Sequence, residues 1–130
     1  IFPRLCRETA LAGVDLFFVS TNDAWFGREG CAEQHAAHSV LRAIETQRPV
    51  LRCGNAGWSG WIDSNGYQRE VLRDAGGSIY FEGATTLTIR MNQDQISKAS
   101  FYVRHGDWFA YLCLLLILVS LPFVLRKKQN

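Results

Sequence analysis

The chain has 130 residues, 14 Lys and Arg, 12 Asp and Glu, and a formal net charge of +2. Arg126, Lys127 and Lys128 stand together near the end of the sequence, and residues 1–125 carry 11 basic and 12 acidic groups, a poor electrostatic match for a phosphate backbone; nucleic-acid binding is excluded. Apolar residues make up 48% without excess Gly or Pro, which excludes disordered and collagen-like chains.

Residue 1 is Ile, and no basic stretch followed by an apolar one opens the chain. No signal peptide is visible, and the chain reads as the C-terminal part of a longer protein. Pro3 to Ala12 predicts a helix, with Pro in the first turn and Gly13 as the residue that ends it. Leu16-Phe17-Phe18-Val19 is a continuous apolar run, which predicts a strand covered on both faces. Helix followed by buried strand is the α/β rhythm. Asn22 to Gly30 is a loop with Trp25 and Phe26 at its centre, placed where open α/β sheets line their ligand sites.

Glu33 to Gln47 predicts a second helix whose stripe Ala37, Val40, Leu41 and Ile44 should face the core; Arg48-Pro49 ends it. Short strands follow: Val50–Cys53, Trp58–Ile62 and Tyr67–Leu72, with turns at Asn55–Gly57 and Asp63–Gly66. Asp74–Gly77 is a further turn, and the alternation Thr86-Leu87-Thr88-Ile89-Arg90 predicts a further strand.

From Trp108 to Leu125 there are 18 consecutive uncharged residues. A helix of that length is about 27 Å long, close to a bilayer core of about 30 Å. Trp108, Phe109 and Tyr111 stand at one membrane interface, and Arg126, Lys127 and Lys128 at the other. Cations favour the cytoplasmic side, so the body is expected outside the cytoplasm. The expected organisation is a body over 1–104, a juxtamembrane link over 105–107, a span over 108–125 and a basic tail over 126–130.

Single polar groups say little. His35 and His38 stand three apart without a third ligand, so no metal is expected. Cys6, Cys31, Cys53 and Cys113 form no Cys-x-x-Cys pair. Cys6 reads as a packed thiol, Glu45 as an exposed partner of Arg42 or Arg48, and Ser59 lacks the flanks of a hydrolase nucleophile.

Taken together, the segments say more. Ser20-Thr21-Asn22-Asp23-Ala24-Trp25-Phe26-Gly27 resembles the Asn-Asp-Ala-Trp-Phe-Gly signature of the apolipoprotein N-acyltransferases, bacterial membrane enzymes of the nitrilase (carbon–nitrogen hydrolase) superfamily. Gln34-His35, Arg42-Ala43-Ile44-Glu45, Arg48-Pro49, the hairpin Asn55-Ala56-Gly57-Trp58-Ser59-Gly60 with Ile62-Asp63 and Gly66, and Gly106-Asp107-Trp108 extend the resemblance over nearly the whole chain. Soluble nitrilases share the first half but lack the anchor. Ala56 departs from the more usual Thr or Asn, and Trp58 and Trp61 make the hairpin unusually aromatic, which could alter pocket shape or lipid contact.

The resemblance implies part of an α-β-β-α sandwich followed by one transmembrane helix, in the bacterial inner membrane with the body on the periplasmic side. It implies cysteine-thioester acyl transfer from a phospholipid donor to the N-terminal amine of an apolipoprotein, with no cofactor. Ile1-Phe2-Pro3 and Arg7 resemble the stretch just after the family's nucleophile. The Cys, Glu and Lys of catalysis are therefore expected upstream, leaving this fragment without catalytic residues and inactive alone. Cys6 does not inherit the nucleophile's role. The implied share of the site is an acyl-pocket wall of Asn22, Asp23, Trp25 and Phe26, with Asp23 orienting its loop through backbone hydrogen bonds, and His35 and Asn55 behind it. Two alternatives stand beside this: a membrane-anchored amidase or nitrilase that gives the acyl group to water, and a tail-anchored non-catalytic binding module.

Overall fold

The computed structural model describes residues 2–28 and 30–127, and the side chains of these except Gln95 and residues 123–127. Helix α1 (Pro3–Leu11) leads to strand β1 (Phe17–Asn22), a single 3₁₀ turn (Ala24–Phe26) and helix α2 (Cys31–Thr46). Strands β2 (Val50–Asn55), β3 (Gly60–Ile62) and β4 (Gln68–Val71) follow, then helices α3 (Gln93–Ile96), α4 (Phe101–His105) and α5 (Trp108–Lys127). The sheet order is β1-β2-β3-β4. β1 and β2 run parallel, with Phe17 opposite Val50 and Asn22 opposite Asn55; the other pairings are antiparallel. The parallel pair joined through α2 is the α/β rhythm expected above, and it brings the carboxyl ends of β1 and β2 side by side.

The core lies between α2 and one face of the sheet, where Ala32, Ala36 and Ala43 meet Val50, Trp58, Ile62 and Ile79. The stripe that faces the sheet is thus Ala32, Ala36, Ser39, Ala43 and Thr46; of the expected Ala37, Val40, Leu41 and Ile44, half-buried Val40 packs against the edge of the core and the other three are exposed. Small side chains let the helix approach closely, and the filling volume comes from Trp58, which is fully buried. Val40 and Ile44 instead flank Gly66 in the β3–β4 turn; a Cβ there would lie 2.6 Å from Ile44 Cγ1. Trp58 and Trp61 are core residues, so the aromatic hairpin fills the interior and does not face lipid.

β1 is not covered on both faces. Its burial alternates, and Phe18 is 63% exposed on the face away from α2, beside exposed Ser20, Asn22, Cys53 and Asn55. The segment Thr86–Arg90 keeps its alternation, with Leu87 and Ile89 half-buried, but it pairs with no strand. A strand needs a partner ladder as well as a period, and the alternation alone does not supply one. Helix α4 crosses the expected body–link boundary at 104/105. It is fixed to the body by buried Val103, by Ser100 Oγ donating to the Glu45 carbonyl, and by Arg7 Nε donating to the Tyr102 carbonyl at 3.3 Å.

Arg48 ties the end of α2 to its surroundings. Its Nε donates to the Val14 carbonyl at 2.7 Å, and Nη1 lies 3.3 Å from the carbonyls of Thr46, Gln47 and Lys98. Gln47 closes the helix in the left-handed region at φ 53°. Glu45 pairs with Arg42 at 2.7 Å, as expected, but the pair is largely buried and not exposed. Burial raises the Glu45 carboxyl against the opposing pull of Arg42.

Helix α5 begins at Trp108, where the apolar run begins. Among the described residues, no helix is long and apolar enough to cross a membrane. Lys128 lies outside the described residues, as do the side chains of Arg126 and Lys127. Trp108 packs edge-on against Phe101 and Phe109, at centroid distances of 5.7 and 5.8 Å, and Tyr111 is exposed.

Candidate active-site wall

The site is built on the carboxyl ends of β1 and β2. Asn22, the last residue of β1, is exposed and does two jobs with one oxygen. Its Oδ1 accepts from the Ala24 backbone N–H at 3.2 Å and from Asn55 Nδ2 at 3.1 Å. The first contact is an Asx turn that starts the 3₁₀ segment; the second ties it to the neighbouring strand. The Asp23 N–H donates to the Asn55 carbonyl at 3.0 Å, and the Phe26 N–H to the Asp23 carbonyl at 3.1 Å. The turn is therefore held at both ends.

Its side chains diverge sharply. Trp25 is 82% exposed and Phe26 is exposed, whereas Asp23 between them and the strand is 0% exposed. Among the described residues, the Asp23 side chain bonds no loop backbone group, contrary to expectation; Asn22 does that. The Asp23 carboxylate turns inward. Arg52 Nη2 donates to its Oδ2 at 3.2 Å, Thr21 Oγ1 to its Oδ1 at 3.3 Å, and His35 Nδ1 lies 2.8 Å from Oδ1. Arg52 is itself fully buried on β2, and its Nη1 reaches Ser39 Oγ on α2 at 3.4 Å. A buried carboxylate of this kind is tolerable only with a cation and several donors around it.

Two glycines make the room. A Cβ on Gly57 would lie 2.5 Å from Asp23 Oδ2, and one on Gly54 would lie 3.3 Å from the same atom. Ser59 Oγ accepts from the Gly54 N–H at 3.0 Å, a structural hydrogen bond that suits its expected non-catalytic reading. Ala56, between the glycines, takes the left-handed conformation at φ 50°.

Beside the turn lies an open cleft of about 560 Å³, lined by Ala24, Gly27, Arg28, Asn55, Ala56 and Tyr80 among others. The Arg28 guanidinium sits 5.7 Å from the Tyr80 ring centroid. Burial, then the nearby acidic Glu33 and Asp23, raises the Tyr80 hydroxyl. Asn22, Asp23, Trp25, Phe26, His35 and Asn55 lie together around this turn, and of these Asn55 lines the cleft. His35 stacks edge-on to Phe26 at 6.4 Å and 75°. His38 is exposed, and among the described residues no cluster of His, Cys, Asp or Glu is placed to hold a metal.

Arg52 was not among the predicted site residues. Its signal was a lone cation inside the apolar strand run from Val50, where a charge needs a buried partner. Cys6 is buried on α1, and burial pushes its thiol up, which disfavours the thiolate.

The carbon–nitrogen hydrolase family matches residues 1–91. Curated apolipoprotein N-acyltransferases align over nearly the whole chain: that of Geobacter metallireducens is 35% identical over 99% of this chain, and that of Thermotoga maritima 34% over 98%. The enzyme of Nostoc is 36% identical over 95%. The chain spans 23% of the length of the first two relatives and 22% of the third. With that match over residues 1–91 of 130, the chain belongs to the carbon–nitrogen hydrolase family.

Proposed function

We propose that this chain is the acyl-pocket wall and membrane-proximal part of an apolipoprotein N-acyltransferase. One observation carries the reading. The family match ends at residue 91, but the alignment to apolipoprotein N-acyltransferases continues over nearly all of the remainder, which holds α4 and the apolar helix α5. That continuation favours the acyltransferase over an amidase or nitrilase acting in water.

In this reading a cysteine thiolate supplied by upstream chain attacks the ester carbonyl of a phospholipid. A tetrahedral oxyanion forms, the lysophospholipid alkoxide leaves with a proton, and a thioester remains. The N-terminal amine of a diacylglyceryl-cysteine lipoprotein then attacks the thioester, loses a proton to the general base, and expels the thiolate. The base Glu and the oxyanion-stabilising Lys are also upstream, so this segment alone is inactive.

Trp25 and Phe26 offer apolar surface to the acyl chain, and Asn22, Asp23, His35 and Asn55 support them. In this reading the 18 uncharged residues 108–125 cross the bacterial inner membrane, although the described part of α5 is not by itself long and apolar enough to do so; residues 1–104 then lie on the periplasmic side and the basic tail in the cytoplasm. The physical reason for the anchor is that both substrates are lipids held in a bilayer.

The test uses the intact parent protein in detergent or vesicles, with a phospholipid carrying a labelled acyl chain and a diacylglyceryl lipopeptide. Transfer of label to the lipopeptide amine supports the reading. Label released only as free fatty acid, with a simple amide hydrolysed instead, would favour the water-using hydrolase.

A further inference from the structure

We infer that His35, Asp23 and Arg52 form a buried positioning device that aims the Trp25–Phe26 ledge. The inference rests on the reading that this ledge meets the acyl chain. Trp25 is too exposed to be oriented by its own packing, so its direction is set by the backbone on which it stands. That backbone hangs from Asp23. The Asp23 N–H is bonded to β2, its carbonyl closes the 3₁₀ turn, and its carboxylate is gripped from β2 by Arg52 and from α2 by His35.

His35 touches both the Asp23 carboxylate and the ledge. Its Nδ1 lies 2.8 Å from Asp23 Oδ1, and its ring meets the edge of Phe26. The same Nδ1 lies 3.0 Å from Arg52 Nη2. A guanidinium can only donate and a carboxylate can only accept, so Nδ1 serves one of them at a time. The shorter contact makes Nδ1–H a donor to Asp23. Arg52 then neutralises the carboxylate while His35 sets its orientation and carries it to Phe26. A purely structural centre would not need this arrangement, since a well-packed apolar replacement of a buried ion pair is often at least as stable. Gly54 and Gly57, both cleared around the Asp23 carboxylate, show that the surrounding turn is shaped to it.

The test is a double-mutant cycle in the intact membrane enzyme, read as the single-turnover rate of acyl-enzyme formation from a phospholipid. His35→Ala is expected to slow this step about tenfold. In a Trp25→Ala, Phe26→Ala background the same change should cost less than about twofold, because the ledge it aims is already gone. His35→Asn, whose amide nitrogen reaches the place of Nδ1, should restore most of the rate. His35→Gln, whose nitrogen reaches the place of Nε2, should not; this pair also serves if His35→Ala fails to fold. Equal losses in both backgrounds, or an Asn variant as slow as the Gln variant, would overturn the inference. If the parent protein forms no acyl-enzyme, the functional reading fails, and amide exchange across residues 23–27 decides the inference. Faster exchange there in His35→Gln, with His35→Asn protected and β3 unchanged, supports the device; unchanged exchange overturns it.

Discussion

Replacing Arg52 with Met removes, among the described residues, the guanidinium that pairs with the buried Asp23 carboxylate. At 3.2 Å and an effective dielectric of about 20, the direct attraction is about 5 kcal/mol. Met fills much of the same volume, so the loss is electrostatic and not a cavity. His35 and Thr21 still reach Oδ1, which places the expected cost at the low end of the range for a broken buried pair, about 3 kcal/mol. That is a large share of a typical domain's stability of about 5–15 kcal/mol. The partner experiment changes both groups, Asp23→Leu with Arg52→Met. With no stranded charge, the double variant should recover at least half of the single variant's loss. The assay is urea denaturation of the protein in mild detergent, followed by tryptophan fluorescence from the buried Trp58 and Trp61. A single-variant cost below about 1 kcal/mol, or a double variant that is simply additive, would refute the claim that this pair is a compensated buried charge centre.

Three further outcomes follow from the same geometry. Trp25→Ala should leave the unfolding midpoint within about 0.5 kcal/mol of the parent while lowering acyl-enzyme formation, because the ring is exposed; a stability loss above about 2 kcal/mol would show that it packs. Neighbouring substitutions in the 54–57 turn should have opposite signs. Ala56→Gly relieves a positive φ and should stabilise by about 1 kcal/mol, whereas Gly57→Ala drives a Cβ into Asp23 and should cost about 1–3 kcal/mol in the same denaturation assay. Iodoacetamide at pH 8 to 9 should label exposed Cys53 well before buried Cys6, as read by peptide mass mapping. The Cys6 pKa is raised on folding, so the native state holds that proton more tightly. Its contribution to stability is present below the unfolded thiol pKa, about 8.5, and is lost as pH rises through the folded value. Equal labelling of both thiols would contradict the burial of Cys6.

Much of this was legible in the residues because it depended on local chemistry. Arg48-Pro49 stops α2 where proline geometry requires, and Asp63–Gly66 forms its turn with Asp63 Oδ1 accepting from the Asn65 and Tyr67 N–H groups at 2.9 and 3.0 Å. The loop after β1 was legible because aromatic residues followed a strand. What was hidden depended on contacts distant in sequence. The core face of α2 is lined by Ala, Ser and Thr, so a search for its largest apolar residues found Val40 at the core's edge and otherwise selected exposed positions. Phe18 is apolar, but its sheet face is left uncovered in this chain. Arg52 sits 29 positions from Asp23, and only the parallel pairing of β1 with β2 brings them together. The Thr86–Arg90 alternation named a strand that finds no ladder.

The central claim is that the Trp25–Phe26 ledge contacts the acyl donor. The most direct measurement is photo-crosslinking of the intact parent protein, in vesicles, with a phospholipid bearing a diazirine along its acyl chain, followed by peptide mapping. The account predicts label on the peptide that carries Trp25 and Phe26, reduced in Arg52→Met as the ledge loosens. Label confined to other segments, with residues 22–28 unmodified while acyl transfer proceeds at the normal rate, would contradict it.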